Sequence, residues 1–285
     1  MNRPAGATES KPDRRPRRSP REAFTRDGFV VIENVWTEAE IETAKELVTD
    51  LIERYRLGEA KVCAEGVSIA DVSRQHPQRN PGITGHELTR EPYIIGNLLA
   101  LNPRFAPLLS VASLWECASE LLACAPEEVV FHMSNVIRKP VRIGPAVGWH
   151  RDADNTYCAT VDRRTVRLIL PLHPMSRANG GTALQVGSHV NTATFTDQAS
   201  GAVCCPSVYP GSCLAIHADT LHGGAPNRSE IDRDVIVAQF GLSQSILAYR
   251  GNDDLCLADR HMLATFHAVN QASISSISRD TPDLC

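Results

Sequence analysis

The segment Ala146-Val-Gly-Trp-His-Arg-Asp152 decides how this chain folds, because it places His150 and Asp152 in a glycine-rich turn after a strand-like run. A further histidine, His222, follows about 70 residues later. A close His-x-Asp pair with one distant histidine is how a β-barrel brings two imidazoles and one carboxylate to a single metal ion, whose opposite face stays open. The pattern therefore predicts a barrel-like β domain that holds a metal.

The residue types in this pattern favour ferrous iron. Imidazole and carboxylate suit Fe(II), whereas a closed structural zinc site normally recruits thiolates, and no cysteine pair here has zinc-finger spacing. Two histidines and one carboxylate with open positions form the facial triad of non-haem Fe(II) oxygenases. His-x-Asp also occurs by chance, and His217-Ala-Asp219 is a second example. Asp154 and Asp219 therefore stay open as alternative carboxylate ligands.

An arginine lies eleven residues after His222, where Arg233 precedes the apolar run Asp234-Val-Ile-Val-Ala-Gln-Phe240. At the start of a buried strand, its planar guanidinium can form a bidentate pair with a carboxylate. A dicarboxylate co-substrate would need such an anchor. Most arginines at strand starts are simply solvated, and Arg228 is the nearer competitor.

Short apolar runs separated by glycine and proline dominate the second half of the chain. They cover residues 129–137, 166–172, 182–186, 213–216 and 235–240. Such strands predict a sandwich or barrel, and a jelly roll limits its exposed edges. Before them, Thr37-Glu-Ala-Glu40 is a capping-box signature that opens an amphipathic helix, and residues 105–123 predict a second helix. The expected class is mainly β with flanking helices.

Length and composition predict one globular domain after a basic tail. Barrel-like domains of about 200 to 250 residues are common, so residues 22–285 are expected to form one domain. Residues 1–21 contain seven Lys or Arg and two acids without apolar periodicity, which predicts a disordered tail. The tail lacks interleaved aromatic residues, so no nucleic-acid partner is expected. No stretch approaches the roughly 18 uncharged apolar residues of a membrane span.

Two further features bear on location and access to the site. Nine cysteines without a repeating framework predict free thiols in a reducing compartment, and hence a cytoplasmic protein. Residues 58–93 are interrupted by Pro77, Pro81 and two glycines, which predicts a long irregular segment. Its His76 and His86 are expected to be loop residues and not metal ligands.

The chain resembles the phytanoyl-CoA dioxygenase (PhyH-like) branch of the Fe(II)/2-oxoglutarate-dependent oxygenases over about residues 22–245. The segments that carry the resemblance are Asp27-Gly-Phe-Val-Val-Ile-Glu33, Asn135-Val-Ile-Arg-Lys139-Pro140, Trp149-His150-Arg-Asp152, Ala178-Asn-Gly-Gly-Thr-Ala-Leu-Gln-Val-Gly-Ser-His189, Tyr209-Pro-Gly-Ser212 and His222 to Arg233. The resemblance implies a double-stranded β-helix, a cupin-like jelly roll, in which residues 58–93 help to cover the site.

The resemblance also implies roles for single residues. His150, Asp152 and His222 match the iron ligands, and Arg233 matches the residue that pairs with the distal carboxylate of 2-oxoglutarate. Asn135 and Lys139 lie on a strand that reaches toward the co-substrate or the substrate. Gly224 departs from many relatives, which have a hydroxyl residue there. Ser229 is expected to supply that hydroxyl instead, unless water does.

The function implied is that of an Fe(II)- and 2-oxoglutarate-dependent dioxygenase. Such an enzyme uses O2 to convert 2-oxoglutarate into succinate and CO2 while it hydroxylates or otherwise oxidises a C–H bond of a small molecule. Halogenating relatives replace the carboxylate ligand with Gly or Ala, so an intact Asp152 favours oxygen chemistry. Because the family includes natural-product oxidases, the resemblance slightly favours a role in natural-product biosynthesis. A cupin-like metal hydrolase or isomerase and a non-catalytic jelly-roll binding protein are the alternatives. The primary substrate and the oligomeric state are not indicated.

Overall fold

The protein is described by a computed structural model over residues 19–63, 70–72, 77–83, 91–154, 158–190, 201–249 and 255–266. The helices are α1 (Pro20–Asp27), α2 (Glu38–Arg56), α3 (Ala60–Cys63), α4 (Leu98–Leu101), α5 (Phe105–Leu109) and α6 (Ala112–Leu122). The strands are β1 (Phe29–Ile32), β2 (Ala70–Asp71), β3 (Pro92–Gly96), β4 (Val129–Lys139), β5 (Val147–His150), β6 (Thr165–Pro171), β7 (Thr182–Gln185), β8 (Val203–Cys204), β9 (Cys213–His217), β10 (His222–Gly224) and β11 (Arg233–Leu242).

Two antiparallel sheets form the predicted double-stranded β-helix. The larger sheet has the strand order β1-β9-β6-β11-β4-β3-β2, and the smaller sheet has the order β5-β10-β7-β8. Strands distant in sequence are therefore neighbours, and this is how the chain closes on itself as a jelly roll. All five predicted strands are present, and each end lies within two residues of its expected position.

The central strands β4 and β11 present side chains to both faces of the larger sheet. Arg233 pairs with Lys139 at one end and Leu242 with Val129 at the other. Because side chains alternate along a strand, Val235 and Val237 face the smaller sheet. Ile236 points to the other side and packs among the helices. One strand thus contributes to the inner cavity and to the outer core.

The helices cover the outer face of the larger sheet, as their apolar stripes predicted. Thr37 and Glu40 form the expected capping box, with Thr37 N donating to Glu40 Oε2 at 2.7 Å and Glu40 N donating to Thr37 Oγ1 at 3.3 Å. The α2 positions predicted to be apolar are buried, namely Ile41, Ala44, Leu47, Val48, Leu51 and Ile52. They join the same core as the outward residues of the sheet.

The single helix predicted over residues 105–123 is two helices. The Ser110 amide closes α5 on the Ala106 carbonyl, and Val111 is extended with ψ 141° before α6 begins. Trp115 Nε1 donates to the Leu109 carbonyl at 3.0 Å, which satisfies an acceptor that the break leaves without a helical donor. Within the described residues, Phe105–Leu122 alone is long and apolar enough to cross a membrane, and 61% of it is buried inside the domain.

The last residues of the segment predicted as a tail are structured. Helix α1 starts at Pro20, with Ser19 and Glu22 forming its capping box, so Pro20 and Arg21 are helical. Residues 1–18 and 267–285 lie outside the described part, as do His76 and His86. The eight described cysteines are free thiols. Segment 58–93, predicted to be irregular, contains α3, β2 and the start of β3.

Candidate active site

Strand register brings the two distant halves of the His-Asp-His pattern together. His150 ends β5 and His222 begins β10, and the two residues are direct cross-strand partners. Asp152 follows in the one-turn 3₁₀ helix Asp152–Asp154, which directs its carboxylate back toward the two rings. The 70-residue separation along the chain therefore disappears in the smaller sheet.

The three side chains form a compact cluster. The His150 and His222 Nε2 atoms lie 3.5 Å and 3.8 Å from Asp152 Oδ1, and all three possible ligand atoms lie within 4.8 Å of one another. Within the described residues, this is the cluster of His, Cys, Asp or Glu that could hold a metal ion. The alternative carboxylates are engaged elsewhere, because Asp154 and Asp219 both pair with Arg163.

Backbone carbonyls orient both imidazoles. His150 Nδ1 lies 2.9 Å from the Gly148 carbonyl, and His222 Nδ1 lies 2.9 Å from the Thr220 carbonyl. A carbonyl can only accept, so each Nδ1 carries the proton and each Nε2 presents a lone pair toward the common centre. Metal-ligating histidines are usually held in this way by their second nitrogen.

The electrostatics of the cluster suit a divalent cation. Burial lowers the pKa of His222 to about 4, which keeps that ring neutral. Burial also disfavours the charged form of His150, but Asp152 raises the pKa of that ring above its usual value. For Asp152, burial is outweighed chiefly by the charge of Arg167, which holds the pKa of the carboxyl well below its usual range. Neither oxygen of this buried carboxylate accepts an aligned hydrogen bond. A metal ion would satisfy these acceptors.

A cavity of about 380 Å³ opens between the sheets beside the cluster. Its walls are largely apolar, with Met133, Ile137, Ile169, Val235 and Val237 from the larger sheet and Val147 from the smaller one. Small-ligand sites are typically built in this way, with a few polar groups that fix orientation. The polar lining residues are Tyr93, Asn135, Lys139, His150, Arg167, Thr182, His222 and Arg233.

Arg233 is a buried cation in the wall of this cavity. It is 3% exposed, and its Nε has no hydrogen-bond partner. Among the described residues no carboxylate forms an ion pair with it, and Asp234 next to it pairs with Arg138. Burial lowers the pKa of Arg233 to about 10, so the guanidinium stays charged at neutral pH. A buried charge without a partner is costly, and a carboxylate from a ligand would offset that cost.

Lys139 lies across the β4–β11 ladder from Arg233. Its Nζ donates to the Gly180 carbonyl at 2.9 Å and to the Ala225 carbonyl at 2.5 Å. Burial and the charge of Arg233 lower the pKa of Lys139, and an incoming carboxylate would favour its charged form. Asn135 lies further along the same face of β4, and its Oδ1 is buried without a partner.

The expected hydroxyl of Ser229 does not reach the cavity. Ser229 Oγ donates to Asn227 Oδ1 at 2.7 Å and contacts the Ile231 carbonyl, which holds it within its own turn. Arg228 is also used structurally, because its Nη1 donates to Asn80 Oδ1 at 2.6 Å. Neither residue lines the cavity. The role expected for Ser229 is therefore wrong. Of Arg228 and Arg233, it is Arg233 that lines the cavity.

Two polar residues of the cavity, Arg167 and Tyr93, were not predicted from the sequence. Arg167 Nη1 lies 2.7 Å from Asp152 Oδ1, although residues 166–172 have the pattern of one apolar run. An arginine inside an otherwise apolar strand was the available signal, because alternation places it on the same face as Ile169. Tyr93 sits at the start of β3, in a segment without readable periodicity.

A jelly roll that brings a His-Asp-His cluster and a buried arginine into one cavity defines the class of iron- and 2-oxoglutarate-dependent oxygenases. Comparison with protein families specifies it further. The model of the phytanoyl-CoA dioxygenase (PhyH) family matches residues 24–235. The chain belongs to this family, and its cofactors are iron and 2-oxoglutarate.

Solved structures share the fold. EctD from S. alaskensis with bound Fe is 21% identical, with 85% of this chain and 83% of that chain covered and a TM-score of 0.64. AviO1 from Streptomyces viridochromogenes Tue57 is 22% identical over 79% of this chain and 95% of that chain, with a TM-score of 0.62. SnoK, a non-heme alpha ketoglutarate dependent carbocyclase from nogalamycin biosynthesis, is 14% identical over 85% and 88%, with a TM-score of 0.62. Among curated proteins, no sequence matches significantly.

Proposed function

We propose that this enzyme hydroxylates or otherwise oxidises a C–H bond of a small molecule, with His150, Asp152 and His222 as iron ligands and Arg233 as the anchor of 2-oxoglutarate. The observation that supports these roles is the buried, unpaired guanidinium of Arg233 in the same cavity as the His-Asp-His cluster. The cluster suits a metal ion, and the guanidinium suits the far carboxylate of a dicarboxylate.

Each residue has a separate task in this proposal. When bound, iron and 2-oxoglutarate supply the oxidising chemistry, in which O2 is consumed and succinate and CO2 are formed. The Gly148 and Thr220 carbonyls hold the two imidazoles in the tautomer that binds metal. Arg233 fixes the far end of 2-oxoglutarate, and Lys139 and Asn135 add donors along the same wall. The apolar walls exclude water from the reacting centre.

The alternatives explain less of the cavity. A metal hydrolase, an isomerase or a binding protein could use the same cluster but would have no use for a buried cation set apart from it. A cavity of about 380 Å³ is at the small end of the range for ligand sites, which favours a substrate of modest size or one that is only partly enclosed. SnoK acts in nogalamycin biosynthesis, and this supports a natural-product substrate here. The eight free cysteines support a cytoplasmic location.

The test is formation of succinate from 2-oxoglutarate with Fe(II) and O2, read in the presence of a panel of small natural products. We expect His222→Ala and Asp152→Gly to abolish succinate formation while the fold is retained, because each removes a metal ligand. His261→Ala is the matched control, since His261 is exposed in the described segment 255–266, which contributes no residue to the cavity. Full activity in the His222 variant would reject the ligand assignment. Equal loss in the control would show damage unrelated to the metal.

A further inference from the structure

Arg167 contacts the metal cluster without belonging to it. This residue of β6 lies in the cavity wall, and its side chain is 11% exposed. Its Nη1 is 2.7 Å from Asp152 Oδ1, in a geometry that pairs the charges without an aligned hydrogen bond. The same oxygen lies nearest both histidine Nε2 atoms, and because a carboxylate oxygen has two lone pairs, an arginine that engages one leaves the other for a metal ion.

Buried hydrogen bonds through Gln239 fix the side chain of Arg167. Arg167 Nε donates to Gln239 Oε1 at 3.0 Å, and Gln239 is 2% exposed. The amide of Gln239 is itself fixed, because its Nε2 donates to the Cys158 carbonyl at 2.7 Å and lies 3.1 Å from His132 Nδ1. The arginine fork is therefore held in one direction, and that direction is toward Asp152.

Arg167 and Arg233 are attached to the cavity wall at widely separated backbone positions. Register pairs Arg167 with Gln239, whereas Arg233 begins the same strand six residues earlier. Six residues of β-strand span about 20 Å. The cavity thus has Arg233, the predicted co-substrate anchor, toward one end and Arg167 beside the metal cluster. The anchoring role of Arg233 therefore does not explain why Arg167 is present.

We propose that Arg167 is a positioning residue for the metal site. Held by Gln239, it fixes the Asp152 carboxylate so that a single oxygen faces the two histidines. This inference rests on the proposed ligand role of Asp152. Two effects of Arg167 oppose each other, since its charge repels a cation while its fork orders the ligand. We expect orientation to be the larger effect, because Arg167 holds Oδ1, which is also the oxygen nearest both histidine Nε2 atoms, and one lone pair of that oxygen remains for the metal.

Equilibrium binding of Co(II) to the metal-free protein tests this without turnover, with visible absorption as a report on coordination number. We expect Arg167→Met to weaken Co(II) binding about 10- to 100-fold and to change the spectrum, as is typical when a partner of a metal ligand is lost. Arg167→Lys keeps the charge but cannot reach both Asp152 and Gln239, so it should recover part of the affinity. Gln239→Leu should weaken binding less than Arg167→Met.

Arg164→Met is the matched control, because Arg164 donates to the Leu122 carbonyl and lies away from the cavity. Tighter Co(II) binding by Arg167→Met would show that charge repulsion dominates and would overturn the proposal. Unchanged affinity and spectrum would overturn it as well. If Arg167→Met fails to fold, the Arg167→Lys and Gln239→Leu variants decide by the same readout. Failure of the wild-type protein to bind Co(II) would instead count against the metal site itself.

Discussion

At position 224 the absence of a side chain leaves room for an ammonium group. A Cβ on Gly224 would lie 3.0 Å from Lys139 Nζ, closer than nearly all real contacts. Lys139 Nζ therefore takes up the space that a side chain at position 224 would need. We infer that Lys139, in exchange for the hydroxyl expected there from the family resemblance, supplies the donor that was expected of Ser229.

This exchange predicts the behaviour of a double variant. Lys139→Met should raise the 2-oxoglutarate concentration needed for half-maximal succinate formation about tenfold or more, since a hydrogen bond from a charged group contributes about 1.5–3 kcal/mol. Adding Gly224→Ser to that variant should recover part of the loss, because the hydroxyl enters the vacated space. In the wild-type background, Gly224→Ser alone should weaken binding through crowding. A double variant no better than Lys139→Met would disprove the exchange.

Residue-level roles could be predicted where one side chain carries the chemistry and spacing limits the choices. The structure brings His150, Asp152 and His222 together as the spacing predicted and places Arg233 in the same cavity, while the anchoring role of Arg233 stays a prediction. Ser229 was placed wrongly because the direction of its side chain depends on bonds to Asn227 within its turn. Arg167 was missed because its contact with Asp152 joins two segments that only the folded sheet brings together.

At the scale of elements, β4 and β11 carry the site on one face and a charge cluster on the other. Arg138 donates to Asp234 at 2.9 Å, to Asp232 at 2.8 Å and to Glu91 at 3.3 Å. Arg138 and Asp234 are 4% and 3% exposed, so the cluster ties the two strands to the segment before β3 where water cannot replace it. Because the cluster stabilises the pairing of β4 with β11, it also keeps Lys139 and Arg233 opposite each other.

Arg138→Met should therefore lower the free energy of unfolding by about 3–5 kcal/mol, the usual effect of leaving a buried charge without its partner. Burial already raises the pKa of Asp234, so the charged carboxylate would be destabilised further without Arg138. Combining Arg138→Met with Asp234→Asn should cost less than the two single effects together. Urea unfolding of the four proteins measures this, and simple additivity would show that the two groups do not interact.

Strand positions could be predicted because alternation and β-branched runs are local signals, and all five runs became strands. The break between α5 and α6 could not, because apolar residues continue across it. It is set by tertiary contacts such as the Trp115 bond to the Leu109 carbonyl. The two register shifts, where β5 has an extra residue opposite β10 and β4 has one opposite β11, likewise have no sequence signature.

For the whole molecule, buried neutral histidines predict a loss of stability in acid. Burial lowers the pKa of His132 to about 4, whereas an unfolded histidine titrates near 6.5. The unfolded chain therefore binds this proton first, so the contribution of His132 is full above pH 6.5 and is lost as pH falls toward 4. The shift is equivalent to about 3 kcal/mol.

Comparison of the metal-free wild type with His132→Gln isolates this contribution. Gln cannot titrate in this range, so the free energy of unfolding of the variant should fall less steeply between pH 6.5 and 4. The two curves should differ by an amount that changes with pH by about 3 kcal/mol. Urea unfolding at several pH values provides the measurement. Parallel curves would mean that His132 is protonated in the folded protein or exchanges with solvent.

At this scale the central proposal is that Arg233 pairs with the distal carboxylate of 2-oxoglutarate in the folded molecule. Titration of 2-oxoglutarate into the Fe(II)-loaded protein without oxygen tests it most directly, because binding is then separated from turnover. Arg233→Ala should weaken binding more than about a hundredfold, since loss of one partner of a buried charge pair costs about 3–5 kcal/mol. Arg233→Lys should recover part of the loss, and Arg228→Ala should change the affinity little, provided iron occupancy is equal. A larger effect at Arg228 than at Arg233 would contradict the account.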